Sequence, residues 1–153
     1  MTFDDERGKI HNLTRYKQPV EFDGLAYGKI TPTDIDGLIE YRNRVFVFYE
    51  LKLRGKEMDH GQRMALQNVV DGLNCEGKYA ILFKCEHDVH DAEKHVDAAT
   101  AEVTSIYWNG KWTEPKRQRI SVREATDSFF NWLQQNRVIT PLNEIGACLW
   151  THG

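Results

Sequence analysis

An α/β (α+β) domain is the fold class this sequence predicts, on three observations. Residues 33–54 hold two short β-patterns on either side of the polar stretch Tyr41 to Arg44, the layout of a hairpin. Residues 78–87 form a run with a continuous apolar centre, which suits a strand inside a sheet. Two stretches of helical periodicity open on capping-box sequences, Asp59 with Gln62 and Ser121 with Glu124. With 153 residues, 41% hydrophobic and 11% aromatic, the chain is expected to form one domain over residues 1–153 and to bury a sizeable core. That composition excludes an intrinsically disordered chain.

Residues 1–24 are polar, and a short helix is expected within Asp4 to Tyr16. Leu25 to Ile30 reads as a first strand, ended by Pro32. The hairpin follows. After Lys52 its second strand gives way to Arg-Gly-Lys-Glu-Met, and a helix is expected from its N-cap Asp59 to near Asn74. Gln62, Leu66, Val69, Val70 and Leu73 fall on one stripe of that helix. Beyond the strand at 78–87, Ala101 to Trp108 form another, and Asn109-Gly110 is a tight-turn signal leading into Lys111 and Trp112. Ser121 opens a helix running to about Asn136, with Val122, Ala125, Phe129 and Leu133 as its apolar stripe, widened by Phe130 and Trp132. After Pro141, the apolar residues Leu142, Ile145, Leu149 and Trp150 are expected to dock on the body or on a second subunit.

The hairpin carries the chemistry. Side chains two apart on a strand share a face, so Asp34 goes with Asp36 and Glu50 with Lys52. A three-residue turn at Tyr41, Arg42 and Asn43 would set Asp34 opposite Glu50, whereas a two-residue turn would part the carboxylates unless a bulge intervened. Two acids this close oppose each other's ionisation, which a divalent cation between them relieves. Hard oxygen ligands with no nearby Cys or His pattern point to Mg²⁺ or Mn²⁺. Gln62 has two readings, closing a capping box with Asp59 or serving this site from the top of the helix's buried face.

Thr33-Asp34-Ile35-Asp36-Gly37, a run of β-formers and then Glu50-Leu51-Lys52 together resemble the core of the PD-(D/E)XK nuclease superfamily, which includes restriction endonucleases, archaeal Holliday junction resolvases and phage replication-repair nucleases. Gly61-Gln62-Arg63-Met64-Ala65-Leu66 resembles the Gln-bearing helix that follows this core in several branches. The resemblance covers about residues 30–73, and Thr33 stands where the superfamily has Pro. It implies a restriction-endonuclease-like core, a mixed central β-sheet flanked by helices, and Mg²⁺-dependent hydrolysis of DNA phosphodiester bonds in phage or bacterial recombination, repair or processing. Asp34 or Asp36, with Glu50 and the carbonyl of Leu51, would hold the metal; the Asp-x-x-Gly step favours Asp34, the spacing to Glu50 favours Asp36. Lys52 would orient or deprotonate the attacking water, and Gln62 would position Lys52 or the nucleotide. Glu6 and Glu21 are the residues that match an additional acid on an N-terminal helix. Analogy extends to a homodimer making paired cuts. The alternative is a catalytically inactive module on the same fold that binds nucleic acid or a protein partner, and a third reading is a small α+β structural protein with no metal site.

A net charge of −3 argues against a protein that coats nucleic acid, but the charge is uneven. Residues 42–56 carry five basic residues, Arg42, Arg44, Lys52, Arg54 and Lys56, against one acid. Residues 111–123 likewise carry five, including Lys116, Arg117, Arg119 and Arg123, against one, whereas residues 86–102 hold six acids and one lysine. These stretches, with Arg63, are the expected DNA-approach surface. The three cysteines, 75, 85 and 148, form no ligand-like pair and fit reduced thiols. Cys85, His87, His90 and His95 match no zinc spacing. No run approaches the length of a membrane span, and the acidic start is unlike a signal peptide. A soluble cytoplasmic protein is expected, in the bacterial host cell if phage-encoded.

Overall fold

A computed structural model describes Thr14 and residues 17–140. The chain divides into two compact units, residues 1–33 and 34–153. In the first, a 3₁₀ turn spans Asp23–Leu25, and Tyr27 and Ile30 then exchange both backbone hydrogen bonds, at 2.8 and 3.1 Å. Gly28 sits between them at φ +65°, which reverses the chain within four residues. The expected strand from Leu25 to Ile30 is therefore a tight turn. The helix expected within Asp4 to Tyr16 falls, apart from Thr14, outside the described residues.

The second unit is a mixed sheet with a helix on each face. Its strands are β1 (Gly37–Tyr41), β2 (Val45–Leu53), β3 (Tyr79–His87), β4 (Glu102–Trp108) and β5 (Lys111–Thr113), in spatial order β1-β2-β3-β4-β5. Neighbours are antiparallel except β2 and β3, which are parallel and joined through helix α1 (His60–Leu73). Parallel neighbours require such a crossover. A second helix, α2 (Val122–Gln135), follows β5.

Strand alternation decides which residues meet which helix. Phe48, Ala80, Leu82 and Tyr107 pack with Leu66 and Val70 of α1. Val45, Val47, Ile81, Phe83, Cys85 and Val103 pack on the other face with Ala125, Phe129, Phe130 and Leu133 of α2. Both predicted N-caps are present: Asp59 accepts from the backbone of Gly61 and Gln62, and Ser121 Oγ accepts from Glu124 N at 3.1 Å. Val69 and Trp132 depart from their predicted stripes, being 42% and 41% exposed. Each lies on the rim of its helix's apolar face, and Trp132 meets Tyr79 and Trp108 edge-on. At the far end of α1, the Asn74 amide donates to Ala80 O at 2.8 Å and accepts from Ala80 N at 2.7 Å, clamping the helix to the start of β3.

The hairpin turn differs from expectation by one position. Arg42 and Asn43 both take positive φ, Arg44 N donates back to Tyr41 O, and Tyr41 pairs with Val45. The turn is thus Arg42 to Arg44, because Tyr41 is retained by the sheet as a half-buried residue packed on the α2-side core. Moving a three-residue turn by one position slides the register by two. The faces stay as predicted, but the partners change.

Candidate active site

Gly37 stands opposite Tyr49, so the same ladder carried one residue further sets Asp36, not Asp34, opposite Glu50. Asp36 Oδ2 accepts a hydrogen bond from Leu51 N at 2.8 Å, taking over from β1 where that strand ends. In an antiparallel ladder a residue's N–H and C=O point to the same side. The Leu51 carbonyl therefore faces the same vacated edge as the Asp36 carboxylate. Asp34 is exposed and, among the described residues, makes no hydrogen bond or ion pair.

Glu50 is the centre of the site. It is 1% exposed, the most deeply buried acid among the described residues. Lys52, two residues on and on the same face, approaches its Oε1 at 2.7 Å, while Oε2 has no hydrogen-bond partner among the described residues. Burial pushes the Glu50 carboxyl above its ordinary range; the Lys52 hydrogen bond opposes that, and the Asp36 charge adds to the rise. The Gln62 amide lies close enough to favour the charged form yet leaves Oε2 unpaired. Asp59 caps the helix by accepting from the Gly61 and Gln62 N–H groups, while the Gln62 side chain lies beside Glu50 and, among the described residues, closes no capping box with the Asp59 N–H.

The sequence reading missed Lys84. It lies directly beside Glu50 on the parallel strand, is 8% exposed, and has the carboxylates of Glu57 and Glu86 each at 3.7 Å. A lysine interrupting an apolar strand was the available signal, since lysine is almost never buried unless paired. Acids and lysines thus alternate across the α1 face at the carboxyl ends of two parallel strands: Glu50 and Lys52 on β2, Lys84 and Glu86 on β3. Ligand sites of open α/β sheets form outside such strand ends.

The expected basic surface is not continuous. Arg42 and Arg44 are at the turn and Arg54 is beyond the other end of β2, about 33 Å away at ~3.3 Å per residue. Arg54 bonds Asp88 at 2.7 Å and Glu102 at 2.9 Å, which raises its pKa and lowers that of Asp88. Arg117 pairs with Glu124, and Arg123 with Asp127 at 3.0 Å. Lys56, Lys116 and Arg119 are exposed. Arg63 lies over the Trp112 ring at 4.6 Å, close to Gln62 on α1. Glu21 is in the first unit, and Glu6 and the tail beyond Thr140 lie outside the described residues. Cys85 packs inside the α2-side core, where burial pushes its thiol up to about 12.

Among the described residues, no group of three or more His, Cys, Asp and Glu side chains is placed to hold a metal ion. Asp36 lies near enough for its charge to act on Glu50, the Leu51 carbonyl faces the same strand edge, and the Glu50 oxygen without a partner among the described residues is an unused ligand atom. That donor set fits a hard cation that keeps several waters, as Mg²⁺ does. No family model matches the chain, and no curated protein or solved structure matches it either.

Proposed function

We propose that this chain is a metal-dependent nuclease hydrolysing DNA phosphodiester bonds, with Asp36, Glu50 and Lys52 as its reacting constellation and a restriction-endonuclease-like core. One observation carries the reading: a fully buried carboxylate with one oxygen held by a lysine and the other left without a partner. An arrangement whose only role was packing would leave neither a buried charge nor an orphaned oxygen, because both destabilise the fold.

Asp36, Glu50 and the Leu51 carbonyl would hold Mg²⁺ or Mn²⁺. When bound, the cation polarises a phosphoryl oxygen and acidifies water beside it. Lys52 holds Glu50 in its charged form, orients the attacking water, and offsets negative charge gathering on the pentavalent phosphorus. Gln62, beside the carboxylate, favours its charged form, and Arg63, braced on Trp112, would meet an incoming backbone phosphate. The separation of Asp36 and Asp34 along the register supports Asp36 as the first acid.

The test is cleavage of labelled duplex, single-stranded, flap and four-way-junction DNA in Mg²⁺, Mn²⁺ and EDTA. Glu50→Gln and Asp36→Asn are expected to lose at least 100-fold in rate, and Asp34→Asn to lose less than tenfold. Glu50→Gln cutting at the wild-type rate would end the proposal. The small donor set keeps one second reading in view, a nucleic-acid-binding module without catalysis. Tight DNA binding with no cutting on any substrate in either metal would select it.

A further inference from the structure

We infer that the cavity at the hairpin turn is a second phosphate site, which anchors the backbone of the bound nucleic acid about 20 Å from the reacting centre. The inference rests on the nuclease reading for the identity of its ligand. The cavity, of about 560 Å³, is bounded by Tyr41, Arg42 and Arg44 from the turn and by Arg137, Val138 and Ile139 just after α2.

Three features set these arginines apart. First, among the described residues none of Arg42, Arg44 and Arg137 forms an ion pair, whereas Arg54, Arg117 and Arg123 all do. Arg44 reaches only the Gly77 carbonyl, at 3.4 and 3.5 Å, and Arg42 stacks over the Tyr41 ring at 5.5 Å. The nearest acid in sequence, Glu40, is committed to the Asn43 N–H at 2.6 Å. Second, Lys78 adds a fourth positive charge beside the turn by donating to Asn43 Oδ1 at 3.2 Å. Third, Arg42 and Arg137 both hold left-handed backbone, at φ 50° and 58°. That conformation is strained for a long side chain, and Gly or Asn would adopt it at less cost. Unpaired guanidinium groups gathered on strained backbone at one cavity match the needs of a phosphate, which guanidinium recognises through paired hydrogen bonds.

The placement fits one ligand running along the sheet's edge. β1 is the edge strand, with Asp36 just before its first residue and Arg42 just after its last. The six steps from Asp36 to Arg42 span about 20 Å at ~3.4 Å each. The cavity would therefore take a second backbone phosphate of the same bound nucleic acid, away from the scissile one.

The experiment measures binding of a fluorescent 20-nucleotide single strand by anisotropy in EDTA, from low to moderate salt, so that no cutting is required. Arg42→Gln/Arg137→Gln is compared with the wild type and with Arg117→Gln/Arg123→Gln, and melting curves establish that each variant folds. Losing two phosphate contacts is expected to reduce the slope of log affinity against log salt by about 1.4, and to weaken binding about 25-fold at 0.1 M salt. The Arg117/Arg123 pair is expected to leave the slope within experimental error. An unchanged slope in the Arg42/Arg137 variant overturns the inference alone if the wild type binds and cuts DNA. An equal fall in both variants also overturns it, since the effect would then be general charge. A wild type that binds no DNA overturns it together with the nuclease reading.

Discussion

Lys52→Met tests the buried ion pair most directly. It removes the ammonium bonded to Glu50 Oε1 at 2.7 Å and leaves a carboxylate, 1% exposed, with neither oxygen neutralised by a bonded cation. Breaking a buried pair by deleting one partner costs about 3–5 kcal/mol. Lys52 is itself about a quarter exposed, and the carboxyl can escape by taking up a proton, so a loss of about 2–3 kcal/mol is expected at pH 8. For a chain of this length that is a fall in Tm of roughly 6–8 °C. The pH dependence follows from linkage. Glu50's folded-state pKa is already raised by burial, so its neutral form favours the fold and stability falls as pH rises through the folded pKa. Removing Lys52 raises that pKa further, so the loss should shrink as the pH falls and the variant's carboxyl takes up a proton. Urea denaturation at pH 5 and pH 8 measures both values. Repeating it in a Glu50→Gln background should abolish the difference, since no charge is then left unpaired. An equal loss at both pH values, or the same loss with Gln at position 50, would show that Lys52 stabilises through its aliphatic stem and refute the argument.

Other expected outcomes are simpler. Glu50→Gln alone should raise Tm at pH 8 while removing activity, because a neutral amide loses the burial penalty of the charge; a clear drop in Tm counts against this. Tyr41→Phe deletes a buried hydroxyl that has no partner and should stabilise by about 1 kcal/mol in urea denaturation, whereas Tyr49→Phe, which breaks a 2.8 Å bond to Thr126 Oγ1, should cost about 1 kcal/mol. Asn74→Ala should cost about 2 kcal/mol, because it leaves both Ala80 backbone groups without their partner.

Much of the fold was legible because local signals agreed with it. The run of β-formers in β2, the continuous apolar run in β3 and the two N-caps each describe a feature that a few neighbouring residues decide. Register was not legible in this way. Whether Tyr41 belongs to turn or strand depends on what its ring meets, and that is a core built from strands 40 residues away and a helix further still. One position there exchanges Asp34 for Asp36 at the site. Lys84 was missed for a related reason: periodicity marks which face a residue takes, but the parallel pairing of β2 and β3 decides that this face position adjoins Glu50. The partners of the basic residues were not legible either, since Arg54, Arg117 and Arg123 count as free charges in sequence and are paired with carboxylates in space.

The unpaired Glu50 oxygen also makes the metal reading testable without any DNA. A carboxylate that is buried, charged and short of partners raises the free energy of the folded state, and a cation that binds it there returns part of that energy as stability. Binding to the native state alone stabilises by RT ln(1 + [L]/Kd), about 2.7 kcal/mol when the metal is at 100 times its Kd. Titrating Mn²⁺ should thus raise Tm by roughly 5–10 °C in the wild type. The rise should be lost in Asp36→Asn and Glu50→Gln and kept in Asp34→Asn, because the register sets Asp36, not Asp34, across from Glu50. It should also shrink below the raised Glu50 pKa, where a proton competes for the same oxygen. Non-specific binding of Mn²⁺ to surface carboxylates would give a shift that survives all three substitutions and weakens only in the ordinary carboxylate range. That result would leave Glu50 and Lys52 as a buried pair without a metal, and would transfer the weight to the binding-module reading.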